Sequence, residues 1–95
     1  MQPHAVDRDV FRAHGHNKTI LIADNDSTVR TQLCDILESD GFNVVQAERG
    51  EKCLFLSMEK NVDGFLIDLN MPGLDGTDLC RRIRSMERHR LTPII

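Results

Sequence analysis

Aromatic side chains are scarce: the 95 residues include four Phe and neither Trp nor Tyr. Ligand recognition by stacked rings has little to work with. Cysteines number three, Cys34, Cys53 and Cys80. The count is odd, the spacings are wide and there is no C-x-x-C pair, so disulfide and zinc-finger frameworks are poor fits. Each cysteine stands beside apolar residues in a helix-like segment and reads as small core filler, which fits a reducing cytoplasm. Long apolar runs are missing as well. None approaches the roughly 20 residues of a membrane span, and the N-terminus lacks a signal-peptide core. The formal net charge of −3 leaves no basic footprint, which argues against direct nucleic-acid binding. What is present is 40% apolar and 28% charged residues, the composition of one soluble globular domain.

Residues 1–17 are polar and carry His4, His14 and His16, and they read as a surface tail. Val6, Val10 and Ala13 lie at helical spacing, with Gly15 placed to end a short helix. His14 and His16 form a pair without the third ligand that a metal site needs. The domain proper is expected over residues 18–95.

Thr19 to Ala23 (TILIA) is apolar and β-branched and reads as a first strand. Asp24, Asn25, Asp26 and Ser27 follow, and Asp26 or Ser27 can cap the helix that starts there. Val29, Leu33, Ile36 and Leu37 form its apolar stripe, and Asp40-Gly41 ends it. Phe42 to Ala47 reads as a second strand, and a helix near Glu51 to Glu59 turns Cys53, Leu54, Leu56 and Met58 partly inward. Asp63-Gly64 then leads into Phe65, Leu66 and Ile67, a short apolar run expected to be a central strand buried on both faces. After Asp75-Gly76, Leu79, Cys80, Ile83 and Met86 form another helical stripe, with Arg81, Arg82 and Arg84 mostly outward. Thr92 to Ile95 begins a fourth strand. The resulting βαβαβαβ order predicts a doubly wound parallel sheet with helices on both faces and right-handed crossovers.

The third strand ends on Asp68, and Pro72-Gly73 shapes the loop beyond it. Ligands of open parallel sheets bind at this carboxyl edge, and the first strand also ends on an acid, Asp24. Two acidic strand ends at one edge point to a cation site. An EF-hand is rejected, because Val29 stands where that loop needs glycine and a helix follows at once. Helix capping accounts for part of the Asp24-Asn25-Asp26 cluster and does not exclude more. The remaining reading is a magnesium site in which Asp68 is also a nucleophile, able to form an acyl phosphate. Both reacting partners are anionic, so a divalent cation is needed between them.

With these residues in view, the chain resembles the receiver domain of two-component response regulators. The resemblance lies in ILIADNDSTVR (Ile20 to Arg30), GFNVVQAERGEKCL (Gly41 to Leu54), FLIDLNMPGLDGTDLCRRIR (Phe65 to Arg84) and TPII (Thr92 to Ile95). The D-x-x-M-P-G-x-D-G run is its most specific part. The resemblance implies a flavodoxin-like fold in which Asp68 is the phospho-acceptor, charged by a sensor histidine kinase or histidine phosphotransfer protein. It implies that Asp24, Asn25, Asp68 and the backbone carbonyl of Asn70 hold Mg2+, that Pro72 and Gly73 shape the loop, and that Gly76 starts the third helix. It also implies a cytoplasmic signalling domain and not an enzyme.

Two departures stand out. Asn25 replaces the second acid of the family's pair and brings no charge, which weakens the expected metal site. The chain also ends in the fourth strand, so the fold is expected to be incomplete. The last helices and the fifth strand are missing, and with them the hydroxyl residue and the lysine that in the family hold the phosphoryl group. The fourth strand then becomes an exposed edge. The expectation is a truncated receiver that is part of a longer regulator or is completed by a second copy as a homodimer, with no output domain in this chain. The alternative is a degenerate receiver that acts as a docking or dimerisation module without phosphorylation. An aspartyl phosphatase is disfavoured, because Asn70 cannot serve as the acid/base.

Overall fold

The computed structural model describes residues 17–95. The expected N-terminal helix and the His14/His16 pair lie outside the described residues. The elements are β1 (Thr19–Ala23), α1 (Ser27–Ser39), β2 (Asn43–Ala47), α2 (Gly50–Glu59), β3 (Gly64–Ile67) and α3 (Gly76–Arg84), followed by a 3-10 turn at Glu87–His89. No helix among the described residues is long and apolar enough to cross a membrane.

The strands pair in parallel in the order β2-β1-β3. Within this three-stranded sheet β1 lies between β2 and β3, and β3, expected as a central strand, is flanked on its other side as well. Ile94 bridges to Phe65 on the far side of β3. That pairing is held by Phe65 N–H to the Pro93 carbonyl (2.9 Å), Ile95 N–H to the Phe65 carbonyl (2.9 Å) and Ile67 N–H to the Ile95 carbonyl (3.0 Å). The expected fourth strand is thus present as a short bridged segment.

The two faces of the sheet are unequal. Strand alternation sends Leu21, Ala23, Phe65 and Ile67 to the face covered by α2 and α3, where they pack with Cys53, Leu79 and Ile83 in the main core. On the other face lies α1, and none of its residues is buried. Ile36, expected in its apolar stripe, is 57% exposed. Leu66, expected to be buried within β3, is only half-buried. It faces an apolar groove of about 290 Å³ that Ile20, Leu37, Phe42 and Ile95 also line.

The helical phase of α2 differs from the reading of its sequence. Met58 is 52% exposed, whereas Ser57, four residues after Cys53, is fully buried. Cys53 is the one fully buried cysteine, since Cys34 and Cys80 are half-buried. Burial, with a smaller contribution from Cys80, pushes the Cys53 thiol up to about 12. The stripe of α3 holds at Leu79 and Ile83, but the helix ends at Arg84, before Met86.

Arg84 is more than a solvated arginine. Its Nη1 donates to the carbonyls of His89 (3.1 Å), Arg90 (3.1 Å) and Thr92 (2.6 Å), gathering the turn before the last segment. His89 is 2% exposed. Its Nε2 lies 2.9 Å from the Ser57 carbonyl and its Nδ1 3.1 Å from the Thr92 hydroxyl, and the ring meets Phe65 edge-on at 5.1 Å.

Leu79→Ala leaves a cavity under α3 and is expected to lower unfolding free energy by about 2–5 kcal/mol, read from denaturant midpoints. Burial and the raised thiol value both make Cys53 a poor nucleophile at pH 8. An alkylating reagent should therefore modify Cys34 and Cys80 well before Cys53, in an order read by peptide mass mapping.

Candidate phospho-acceptor site

The site is set by where the strands stop. Ala23 pairs with Ala47 on one side and with Ile67 on the other, so β1, β2 and β3 end level. The next residues extend the ladder by one bond each. Asp24 N–H donates to the Ala47 carbonyl (3.1 Å), and Asp68 N–H donates to the Ala23 carbonyl (2.9 Å). Both acids therefore leave the sheet at its carboxyl edge. They line one open cleft of about 350 Å³ with Ile22, Leu33, Leu66 and Ile95.

The acids of the first loop divide their work. Asp24 Oδ1 accepts the Asp26 N–H (2.9 Å), which folds the loop back on the strand end. Asp26 is the helix cap: its Oδ1 accepts from Thr28 N–H (2.9 Å) and Val29 N–H (3.3 Å). Capping commits Asp26 away from the Asp68 side and leaves Asp24 as the acid of the cleft. Arg30 Nη1 donates to the Asp24 carbonyl (2.6 Å), tying α1 to the same strand end. Asn25 is exposed beside it.

Asp68 is half-buried. Its Oδ1 accepts the Asn70 N–H (2.9 Å), and no hydrogen bond among the described residues reaches Oδ2. The loop that follows closes by Gly76 N–H to the Leu69 carbonyl (3.2 Å). Met71 is 5% exposed and anchors the loop in the core. Gly73 has φ +80°, a left-handed conformation suited to glycine, as the Pro-Gly turn implies. Asp75 caps α3 by accepting Asp78 N–H (2.9 Å), and the helix begins at Gly76.

The sequence reading missed one further acid. Glu51, in the first turn of α2, accepts the Leu74 N–H with Oε2 at 3.1 Å. Its own backbone N–H and that of Leu74 hold its carboxyl below the usual range. This stabilising contribution is present above the ordinary glutamate value and is lost as pH falls through the lowered folded value.

Asp24 and Asp68 thus meet at one cleft, with Asn25 and Asn70 as exposed neighbours. No group of three or more His, Cys, Asp or Glu side chains placed to hold a metal ion occurs among the described residues. Two carboxylates with neutral oxygens beside them would suit a hard cation that keeps several waters better than a soft metal that takes thiolate ligands.

An α/β module with an acid cleft at the carboxyl edge of its sheet is the class that this geometry defines. Residues 20–95 match the response regulator receiver domain, and the chain belongs to that family. It is 38% identical over 76 residues to the transcriptional regulatory protein ResD of Bacillus subtilis, covering 80% of this chain and 30% of that protein. The chemotaxis response regulator CheY4 of Vibrio cholerae superposes with a TM-score of 0.79 at 25% identity, covering 81% of this chain and 64% of that one. The receiver domain of sensor histidine kinase PA1611 from Pseudomonas aeruginosa, solved with a magnesium ion coordinated in its active-site cleft, gives a TM-score of 0.77 at 28% identity. It covers 81% of this chain and 63% of that one. The chain therefore spans less than a third of ResD and just under two thirds of these receiver structures.

Replacing the cap, Asp26→Ala, is expected to cost about 1 kcal/mol of stability, read from thermal unfolding. The carboxylates of the cleft are left in place by that change.

Proposed function

We propose that this chain is the phospho-accepting receiver module of a two-component phosphorelay, with Asp68 as the acceptor. The observation that carries the reading is the convergence of Asp24 and Asp68 on one cleft at the sheet edge. The donor would be a sensor histidine kinase or a histidine phosphotransfer protein. An Asp68 carboxylate oxygen attacks phosphorus as the phosphohistidine P–N bond breaks. The products are an acyl phosphate on Asp68 and an imidazole that takes a proton from solvent. The Asn70 N–H holds Oδ1 in place, which leaves Oδ2 for the attack.

The carboxylates of Asp24 and Asp68, the Asn25 side-chain oxygen and the Asn70 carbonyl would hold Mg2+. When bound, that ion supplies the positive charge two anionic groups need to approach each other. The oxygen-only donor set supports this assignment, as does magnesium in the PA1611 receiver. The protein's own part is orientation: level strand ends fix Asp24 and Asp68, and the closed loop fixes the acceptor.

One observation favours a second reading, a receiver that docks or dimerises without phosphorylation. Asn25 brings no charge to a cleft that, among the described residues, two carboxylates line.

Incubation with a small-molecule acyl phosphate and Mg2+, followed by intact mass, separates the readings. The expected result is one phosphoryl adduct on the parent chain and none on Asp68→Ala. An unlabelled parent, with a chain extended through a fifth strand and helix also unlabelled, would favour the docking module.

A further inference from the structure

We propose that Glu51 is a positioning residue for the phospho-acceptor loop: its carboxylate on α2 holds residues 68–76 in the shape that presents Asp68 for attack. The inference rests on the phospho-acceptor reading of Asp68 given above.

The loop is fixed locally at both ends, by Asn70 N–H on Asp68 Oδ1 and by Gly76 N–H on the Leu69 carbonyl. Between these points its backbone has one tether to a distant part of the chain. Asp68 N–H is held by the Ala23 carbonyl at the strand end; past that residue, among the described residues, Glu51 Oε2 to Leu74 N–H is the only hydrogen bond that reaches residues 69–76 from before β3. Two glycines make room for it. A Cβ on Gly73 would lie 2.8 Å from Glu51 Oε2, and one on Gly50 would lie 2.5 Å from the Leu74 carbonyl oxygen. The start of α2 and the turn of the loop thus approach more closely than side chains on either would allow.

A simpler role for Glu51 is an acid at a helix start, favourable to the helix dipole. Arg49 gives α2 no side-chain cap, so such an acid is useful there. That role needs a charge in the first turn and nothing more. It explains neither the reach to Leu74 nor the paired glycines. The two roles make opposite demands on side-chain length and charge. Glu51→Asp keeps the charge and is one carbon too short to reach Leu74. Glu51→Gln loses the charge and keeps an oxygen at the same reach.

The test compares parent, Glu51→Asp and Glu51→Gln as the full chain at neutral pH. Thermal unfolding is recorded for each, so that rates refer to folded protein. Labelling by an acyl phosphate with Mg2+ is followed by intact mass, and the Leu74 and Asn70 amides are followed by 1H–15N NMR. The expectation for Glu51→Asp is labelling at least about threefold slower, because a small misplacement of a reacting group costs rate. Its Asn70 amide is expected to shift, although that residue does not touch Glu51. Glu51→Gln is expected to stay within about twofold of the parent, since the acceptor remains. Glu51→Asp at the parent rate, or Glu51→Gln slowed as much as Glu51→Asp, overturns the proposal. If the parent itself does not label, the phospho-acceptor reading has failed and the amides decide this one. An Asn70 shift in Glu51→Asp and not in Glu51→Gln supports the tether, and equal shifts in both overturn it.

Discussion

The hydrogen bond from Asp68 N–H to the Ala23 carbonyl, 2.9 Å, is the constraint on which the site depends. It is the last rung between β1 and β3, and Asp24 N–H to Ala47 is its counterpart toward β2. Together they place two acids at one edge through backbone bonds alone. A slip of one residue in either pairing would send the acid to the opposite face. Register is held by the core side, where Leu21, Ala23, Phe65 and Ile67 are all buried against α2 and α3. Packing far from the cleft thus determines which carboxylates meet in it.

The sequence was most legible where chemistry marks the end of an element. Thr19–Ala23 is recovered residue for residue because an acid stops the strand and a cap starts the helix. The turn at Asp63-Gly64 and the start of α3 at Gly76 are marked in the same way. What could not be read were contacts across the fold. Ser57 lies on the Cys53 face of α2, so spacing could have found it, but a serine does not advertise burial. His89 has no periodic signal, and it is buried because Ser57 and Thr92 satisfy its ring nitrogens. Glu51 read as an ordinary acid near a helix start, and its partner lies 23 residues away. The place of β1 between β2 and β3 had no signal in the apolar runs, which report burial and say nothing of strand order.

The inequality of the two faces follows from how the helices are shared. Two helices, α2 and α3, cover one face and exclude water from a continuous core. Among the described residues the other face has α1 alone, which leaves Ile20, Leu37 and Leu66 around an open groove. The acid cleft opens on this thinner side, with Leu33 and Ile95 among its walls. Half-burial of Asp68 is the result. A carboxylate there stays in contact with water while resting against apolar walls.

The parallel pairing also decides how the chain reaches this structure. Thr19 must find Asn43, and Ile20 must find Gly64, so neither pairing of β1 is made by a local hairpin. The β3 closure spans almost twice as many residues as the β2 closure, yet chain entropy separates the two by only about 0.5 kcal/mol. Loop length therefore gives little preference for either neighbour to arrive first. The order falls to burial, and β3 brings Phe65 and Ile67 into the core while β2 brings the buried Ala47 and the half-buried Val45. Assembly from β3 inward would build the acid cleft early, with β2 and its connection to α2 closing over an edge already formed.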